Sequence, residues 1–255
     1  MAYTDRSPII KQGKVFIQER QFNGAALSGL EWLGNTENAK LSFKQKRETI
    51  KDNFTGKGLT IAAPVVETDL EFMLSMLDIS SPNFARASWG TWSGTEASGS
   101  VSGEAITLYN NSYAQLKKTG VSNVVIAGAT LTTDYTISTE DAAAGRLFVV
   151  ADSAAAPDGT PLVTTVSYDY AANNGQVEGF VTGQKFYSAI VDGKNVAQNN
   201  QPCKLWIYQF QMDAFKTADF IDKKQMKLES GGEILIDSTV ADDGEFSQVF
   251  SLRRG

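Results

Sequence analysis

Histidine is absent from the 255-residue sequence, and cysteine occurs once, at Cys203. A zinc site built on histidine or on paired cysteines therefore cannot be assembled. A Ser-His-Asp or Cys-His catalytic centre lacks its general base, and one thiol cannot form a disulfide within the chain. We expect Cys203 to be a buried, unreactive thiol near the start of a strand. We also expect no metal and no cofactor.

Positive charge is scarce as well, since 23 basic against 29 acidic side chains give a net charge of −6. A protein that grips duplex DNA normally presents a basic face that displaces counterions from the phosphates. No apolar run approaches the roughly 18 residues of a membrane-spanning helix. Residues 1–11 lack the basic-then-apolar profile of a signal peptide. We expect a cytoplasm-made protein with no membrane contact and no specific affinity for DNA.

Only carboxylates remain as candidates for catalysis. Four aspartates could in principle pair as acid and base, as glycosidases require: Asp134, Asp141, Asp152 and Asp158. Nothing local in the sequence pushes their pKa values apart, and aspartate is common in turns. The sequence contains neither a phosphate-binding loop nor a nucleophile elbow. We therefore expect that the protein is not an enzyme.

What the sequence has in quantity is short period-two runs separated by turn signals. Pairs such as Asn23-Gly24 and Asp192-Gly193 favour hairpin turns. The run Lys204–Met212 predicts a strand with Trp206, Tyr208, Phe210 and Met212 on one face. Many short strands with frequent turns predict a mainly β fold, an antiparallel β-barrel or sandwich.

One segment predicts a short α-helix that flanks the barrel. Thr68 and Glu71 have the spacing of a capping box. Apolar residues follow at the spacing of one helix face: Leu70, Met73, Leu74 and Leu77. Pro82 lies just beyond the expected end. The stripe could form a partner groove, but we favour a helix packed on the open face of the barrel.

The composition also predicts a division of the chain. Residues 87–103 are rich in glycine and serine and read as a mobile loop or the tip of a long hairpin. The expected core consists of residues 1–86 and 176–255, and residues 104–175 form an inserted β-rich block that elaborates outward. Apolar residues of the block, such as Leu116, could instead pack into the main core.

The order of these segments resembles that of a known family. A strand at Lys14–Glu19, a long charged strand at Ala39–Ile50, the predicted helix and a C-terminal half of aromatic strands follow one another. Within the block, further matches are Tyr113 to Leu116, Thr133-Asp134-Tyr135-Thr136 and Val166-Ser167-Tyr168. In the order and composition of its segments, the chain resembles the major tail tube proteins of long-tailed bacteriophages, which share their fold with the type VI secretion ring protein.

This resemblance implies a virion structural protein of the viral tail, assembled in the host cytoplasm. Copies would self-assemble into hexameric rings whose inner sheets form a continuous β-barrel, and the rings would stack into a tail tube. DNA would pass through the lumen during ejection without specific binding. Other partners would be the tape measure, terminator, and baseplate or distal tail proteins. The loop at residues 49–58 would reach the next ring through Lys51, Asp52, Phe54 and Lys57.

The strand Ala39–Ile50 conflicts with a lumen that should not hold phosphate. Its polar face carries Lys44 and Lys46, which would bind DNA by counterion release if they faced the channel. We expect these lysines to be paired with carboxylates of a neighbouring subunit or turned toward a ring junction.

Three alternatives remain open. A carbohydrate- or receptor-binding β-sandwich could use Trp89, Trp92 and Tyr109 as an aromatic platform. The chain could also be a capsid decoration protein or another virion β-protein, or a hydrolase that uses carboxylates alone. Formation of rings by the purified protein would separate the tail tube from these alternatives.

Overall fold

The computed structural model describes residues 10–51, 60–195, 200–218, 226–241 and 247–254. Its sheets are antiparallel and its described residues hold only two short helices, so the predicted mainly β fold is confirmed. The chain divides into two compact units. The first unit consists of Met1–Trp92 and Val177–Gly255, and the second consists of Ser93–Gln176.

The elements of the first unit up to the boundary are β1 (Ile10–Arg20), β2 (Glu31–Trp32), β3 (Thr36–Arg47), β4 (Ile50–Lys51), β5 (Thr60–Ala62), β6 (Val65–Met76), α1 (Ser81–Ala87) and β7 (Thr91–Trp92). Those of the second unit are β8 (Gly99–Leu108), β9 (Tyr113–Gln115), β10 (Val121–Ile126), β11 (Tyr135–Thr136), α2 (Thr139–Ala144), β12 (Arg146–Val149) and β13 (Leu162–Tyr170). The first unit then resumes with β14 (Val177–Glu178), β15 (Phe186–Asn195), β16 (Gln201–Met212), β17 (Leu228–Ile234) and β18 (Phe250–Arg254).

The first unit is built on an eight-stranded sheet in the order β2-β1-β15-β16-β17-β6-β3, with β18 also paired to β16. Residues from one face of this sheet form a single hydrophobic cluster with helix α1. Its largest fully buried side chains include Phe72, Tyr187 and Phe210. The ring of Phe72 meets that of Phe210 edge-on at 5.4 Å. One face of the sheet therefore supplies the core of this unit.

The helix predicted after Thr68 is wrong, because these residues form strand β6. In the strand, Leu70, Phe72, Leu74 and Met76 alternate onto the core face, whereas Met73 lies on the other face. A helix with Leu70, Met73, Leu74 and Leu77 inward would have left Phe72 outside that stripe. Pairing with β3 on one side and β17 on the other satisfies the backbone of the buried half of the strand.

The helix that flanks the sheet is α1. It begins at Ser81, near the expected end of the predicted helix. The hydroxyl of Ser80 accepts a hydrogen bond from the backbone N–H of Asn83, and Pro82 lies in the first turn. Proline is favoured there because its missing N–H would have had no helical partner. Ala87 is buried in the core, and the ring of Phe84 packs against that of Phe215 at 5.5 Å.

Two strand predictions fail in detail. Asp192-Gly193 lies within β15 and does not form a turn. In β16, the register against β15 shifts between Tyr187 and Ala189, and the bulge changes which face the side chains occupy. Phe210 is therefore buried while Trp206 is 38% exposed, although both were expected on one face.

The second unit has its own core. Two three-stranded sheets, β10-β13-β8 and β11-β12-β9, supply the residues of a separate hydrophobic cluster. Leu116 is buried in that cluster, which excludes it from the core of the first unit. The expected block began at Glu104, whereas the unit begins at Ser93. The glycine-rich stretch is not one loop, since it contains β7 and the start of β8.

Candidate functional site

Strands β3 and β6 form a long hairpin that has a covered base and an exposed arm. At the base, Leu74 and Met76 are buried, and β17 pairs with β6 from Glu71 to Met76. From Val65 to Leu70, the only strand that pairs with β6 among the described residues is β3. The arm and the small β4–β5 ladder expose large apolar side chains: Phe43, Ile50, Ile61, Val65 and Val66. A two-stranded hairpin is only marginally stable in water, so cover from another surface would stabilise this arm.

The lysines of the arm are paired within the same chain. The Nζ atom of Lys44 lies 3.0 Å from Glu71 Oε2, and that of Lys46 lies 3.3 Å from Glu67 Oε2. The hydrogen bond that Lys44 donates to Glu71 raises the pKa of Lys44. Lys44 and Lys46 therefore have acidic partners within the single chain, without a carboxylate from a neighbouring subunit. The carboxylates lie on the adjacent strand, and they neutralise this face of the arm.

The opposite edge of the sheet carries an apolar segment. After β1 the chain turns back along it, and the N–H groups of Leu27 and Leu33 donate to the carbonyls of Glu19 and Val15. Four large apolar residues of this segment are each more than half exposed: Phe22, Leu27, Leu30 and Trp32. We call these four residues the edge ribbon. An exposed apolar sheet edge is a template for association with another chain.

The predicted stacking loop lies largely outside the described residues. Lys51 is exposed in β4, and Asp52, Phe54 and Lys57 are not described. The edge ribbon and the exposed apolar residues of the arm were not singled out from the sequence. Their spacing is irregular, and periodicity reports which side chains can share a face but not which face stays uncovered.

The proposed aromatic platform is divided between the two units. Trp89 and Trp92 belong to the first unit and Tyr109 to the second. The indole Nε1 of Trp89 donates to the carbonyl of Met212 at 3.0 Å, so this side chain anchors the end of α1. Cys203 is 1% exposed, as expected for a buried thiol.

The buried aspartates of the second unit are held in their charged forms. The Ser153 hydroxyl donates to Asp134 at 2.7 Å, and with the Thr130 N–H it lowers the pKa of Asp134. The Ser138 hydroxyl, assisted by the positive charge of Arg146, lowers the pKa of Asp141. A general acid requires the opposite shift. Asp134 stabilises the turn that follows Thr130, and Asp141 stabilises the start of α2.

Within the described ranges, no three acidic or cysteine side chains converge as a metal site would require. The two helices found there, of seven and six residues, are too short to cross a bilayer.

No curated protein matches this sequence. A family model does, and it extends over residues 8–253, which is nearly the whole chain. The chain therefore belongs to the family described as protein of unknown function UCP028589.

Proposed function

We propose that this protein is the structural subunit of a phage tail tube, in which copies join into hexameric rings and the rings stack around a DNA conduit. The observation that carries the proposal is the pair of uncovered apolar surfaces at opposite edges of one sheet. The edge ribbon follows β1 at one edge, and the arm of β3 and β6 forms the other. Two different apolar surfaces on one chain suit a heterologous contact, which closes into a ring when the rotation permits.

The charge pattern of the arm supports a conduit through which DNA slides. By the alternation of the strands, Lys40, Lys44 and Lys46 share a face with Glu67, Asp69 and Glu71, so the three positive and three negative charges cancel. If this face lines the lumen, few cations are free to displace counterions from phosphate. The second unit is assigned, by the same proposal, to an elaboration outside the tube wall.

The assembly is tested by negative-stain microscopy of the purified full chain over a range of concentrations, alone and with other tail proteins. Six-membered rings and stacked tubes are expected. The variant Trp32→Asp places a charge in the edge ribbon and should prevent ring closure. Val163→Asp, at an exposed apolar residue of the second unit, is the matched control and should assemble normally. Compact monomers under all conditions would refute the proposal.

The conduit is tested by removing the acidic partners of Lys44 and Lys46 and measuring how DNA binding depends on salt. Wild-type tubes should bind duplex DNA weakly. Glu67→Gln with Glu71→Gln removes the two carboxylates paired with Lys46 and Lys44, and Asp69 alone then opposes the three lysines of this face. If the face meets DNA, the logarithm of affinity should fall more steeply with the logarithm of salt concentration, by a slope of roughly two for two added phosphate contacts. An unchanged slope would place this face away from the lumen.

A further inference from the structure

Two aromatic residues near the end of α1 have left-handed backbone conformations. The φ angle of Trp89 is 48° and that of Phe180 is 57°. Their rings meet edge-on, with centroids 6.3 Å apart. Positive φ is uncommon for bulky side chains, and such strain persists only where surrounding contacts enforce it.

Hydrogen bonds hold this strained pair in place. Gly90 N–H donates to Ala85 O at 2.7 Å, which closes the helix in a motif that usually places glycine where Trp89 lies. The N–H and the hydroxyl of Thr182 both donate to Trp89 O at 2.8 Å. Phe180 N–H donates to Ser88 O at 2.8 Å. The turn is therefore a fixed part of the first unit.

The side chains of the two strained residues have different surroundings. Trp89 gains the hydrogen bond to Met212 and lies partly buried. Phe180 is 67% exposed, and Val181 beside it is 58% exposed. We call Phe180 and Val181 the knob. The fold maintains a strained backbone that holds two apolar side chains in solvent, which is the pattern of a contact site and not of a core.

An apolar groove lies at the other end of the same strands. It has a volume of about 470 Å³, and its lining includes Val15, Leu41, Phe43, Leu205, Phe250 and Leu252. Leu205 precedes Met212 by seven residues on β16, which places it roughly 23 Å along the strand from the end where Trp89 is anchored. Along β16, the knob and the Leu205 side of the groove thus lie at opposite ends.

We propose that the knob of one copy seats in the groove of the next copy, in a head-to-tail contact along the strand direction. One chain carries both surfaces, and a heterologous contact of this kind repeats without closing on itself. The two side chains of the knob expose roughly 200 Å² of apolar surface.

The charges at the two ends are complementary. Lys194, Lys204 and Arg253 are exposed at the groove end, and Asp192 opposite Lys204 offsets one of them. Glu37, which also lines the groove, is paired with Lys227. At the knob end, Glu178 and Asp213 are exposed, and the exposed Lys216 offsets one of them. The nearby Lys185 is already paired with Glu19 at 3.0 Å. The assignment of the knob-and-groove contact to stacking between rings rests on the proposed function. The contact itself is tested independently.

The test uses two variants of the full chain. Phe180→Asn removes the aromatic ring and introduces a residue that tolerates positive φ, so the fold should be as stable as in the wild type. Leu252→Asp places a charge at the rim of the groove. Each variant alone should lose at least tenfold in the association constant for stacking, measured by sedimentation velocity. Val163→Asn is the matched control for loss of an exposed apolar side chain and should associate like the wild type.

A mixture of the variants separates this contact from general damage. Leu252→Asp retains its knob and Phe180→Asn retains its groove, so a 1:1 mixture should regain one contact and form paired species that grow no further. If Leu252→Asp does not fold, a double variant with Phe180→Cys and Leu252→Cys replaces it and should form a ladder of intermolecular disulfides on oxidation. The native Cys203 is buried and should not take part.

The outcomes distinguish this inference from the proposed function. Stacked rings formed equally well by Phe180→Asn would overturn the knob contact and leave the tail tube proposal standing. Association that depends on Phe180 but never yields rings would support the contact and refute the tail tube. A wild-type chain that stays monomeric at all concentrations would refute both.

Discussion

Gly145 closes helix α2 with a φ of 70°, and a Cβ atom built on it would lie 2.0 Å from the carbonyl oxygen of Lys118. Gly145→Ala therefore adds a collision with backbone to the strain of positive φ. We predict a loss of roughly 2–4 kcal/mol in the free energy of unfolding of the second unit, from about 1–2 for the conformation and the remainder for the displaced backbone. Urea unfolding of the full chain measures it.

Gly128 provides the control for this prediction. Its φ is 81°, but no atom lies within 4 Å of a Cβ built on it. Gly128→Ala should therefore incur only the conformational penalty of about 1–2 kcal/mol. Equal losses for the two variants would show that the backbone around Lys118 yields freely.

Asp134 predicts a pH dependence with a definite sign. Because its pKa is lowered in the folded state, it contributes stability above its unfolded pKa of about 3.9, and that contribution is lost as pH falls through the folded value. Asp134→Asn should turn an amide N–H₂ toward an N–H or O–H donor and destabilise the second unit at pH 7. The difference from the wild type should shrink below about pH 4. Thermal unfolding of both proteins from pH 7 to 2.5 tests this.

Asp158 serves as the control, because it is an exposed carboxylate in a turn. Asp158→Asn should shift the unfolding midpoint little at any pH in this range. A constant difference between wild type and Asp134→Asn at all pH values would contradict the ionic origin of the effect.

Among the elements, the strands were predictable because period two and turn residues are local signals. The run from Leu70 to Leu77 fits both a helical stripe and, through Phe72, a strand face. Its pairing with β3 and β17 decides between them, and those partners lie about 30 and 150 residues away in the chain. Helix α1 has local signals in Ser80 and Pro82, but a proline at this place fits the end of one helix as well as the first turn of the next.

The paired charges of the arm predict the effect of reversing one of them. Lys44→Glu would place a third carboxylate beside Asp69 and Glu71 on adjacent strands, and the repulsion should loosen the arm. Adding Glu71→Lys restores opposite charges. We expect faster amide hydrogen exchange in β3 and β6 for the single variant, shorter tubes if assembly uses the arm, and recovery of both in the double variant.

Lys117→Glu, an exposed lysine of the second unit, is the control for charge reversal and should leave the arm unchanged. A double variant no better protected than Lys44→Glu would mean that Lys44 acts through something other than its pairing with Glu71.

For the whole molecule, the sequence predicts surfaces less well than cores. The shift in composition near residue 87 indicated a second block, because glycine-rich stretches mark places where the chain can change units. The edge ribbon and the knob gave no comparable signal. Whether Leu27 or Phe180 is covered depends on strands distant in the chain, and on any second copy, which a single sequence does not reveal.

The connection between the units leads to a final prediction. Trp92 in β7 lies opposite Val177 in β14 in an antiparallel pair, so the chain leaves the first unit and re-enters it at adjacent positions. Opposed residues of such a pair have Cα atoms about 4.5–5.5 Å apart, a span that a two-residue Asn-Gly turn closes. Replacing Ser93–Gln176 by Asn-Gly should therefore leave the first unit folded, with a cooperative unfolding transition of its own. If the second unit stands outside the tube wall, the shortened chain should still form rings of unchanged diameter. Folded protein that no longer forms rings would place the second unit in the ring contact, and loss of the cooperative transition would show that the first unit depends on it for folding.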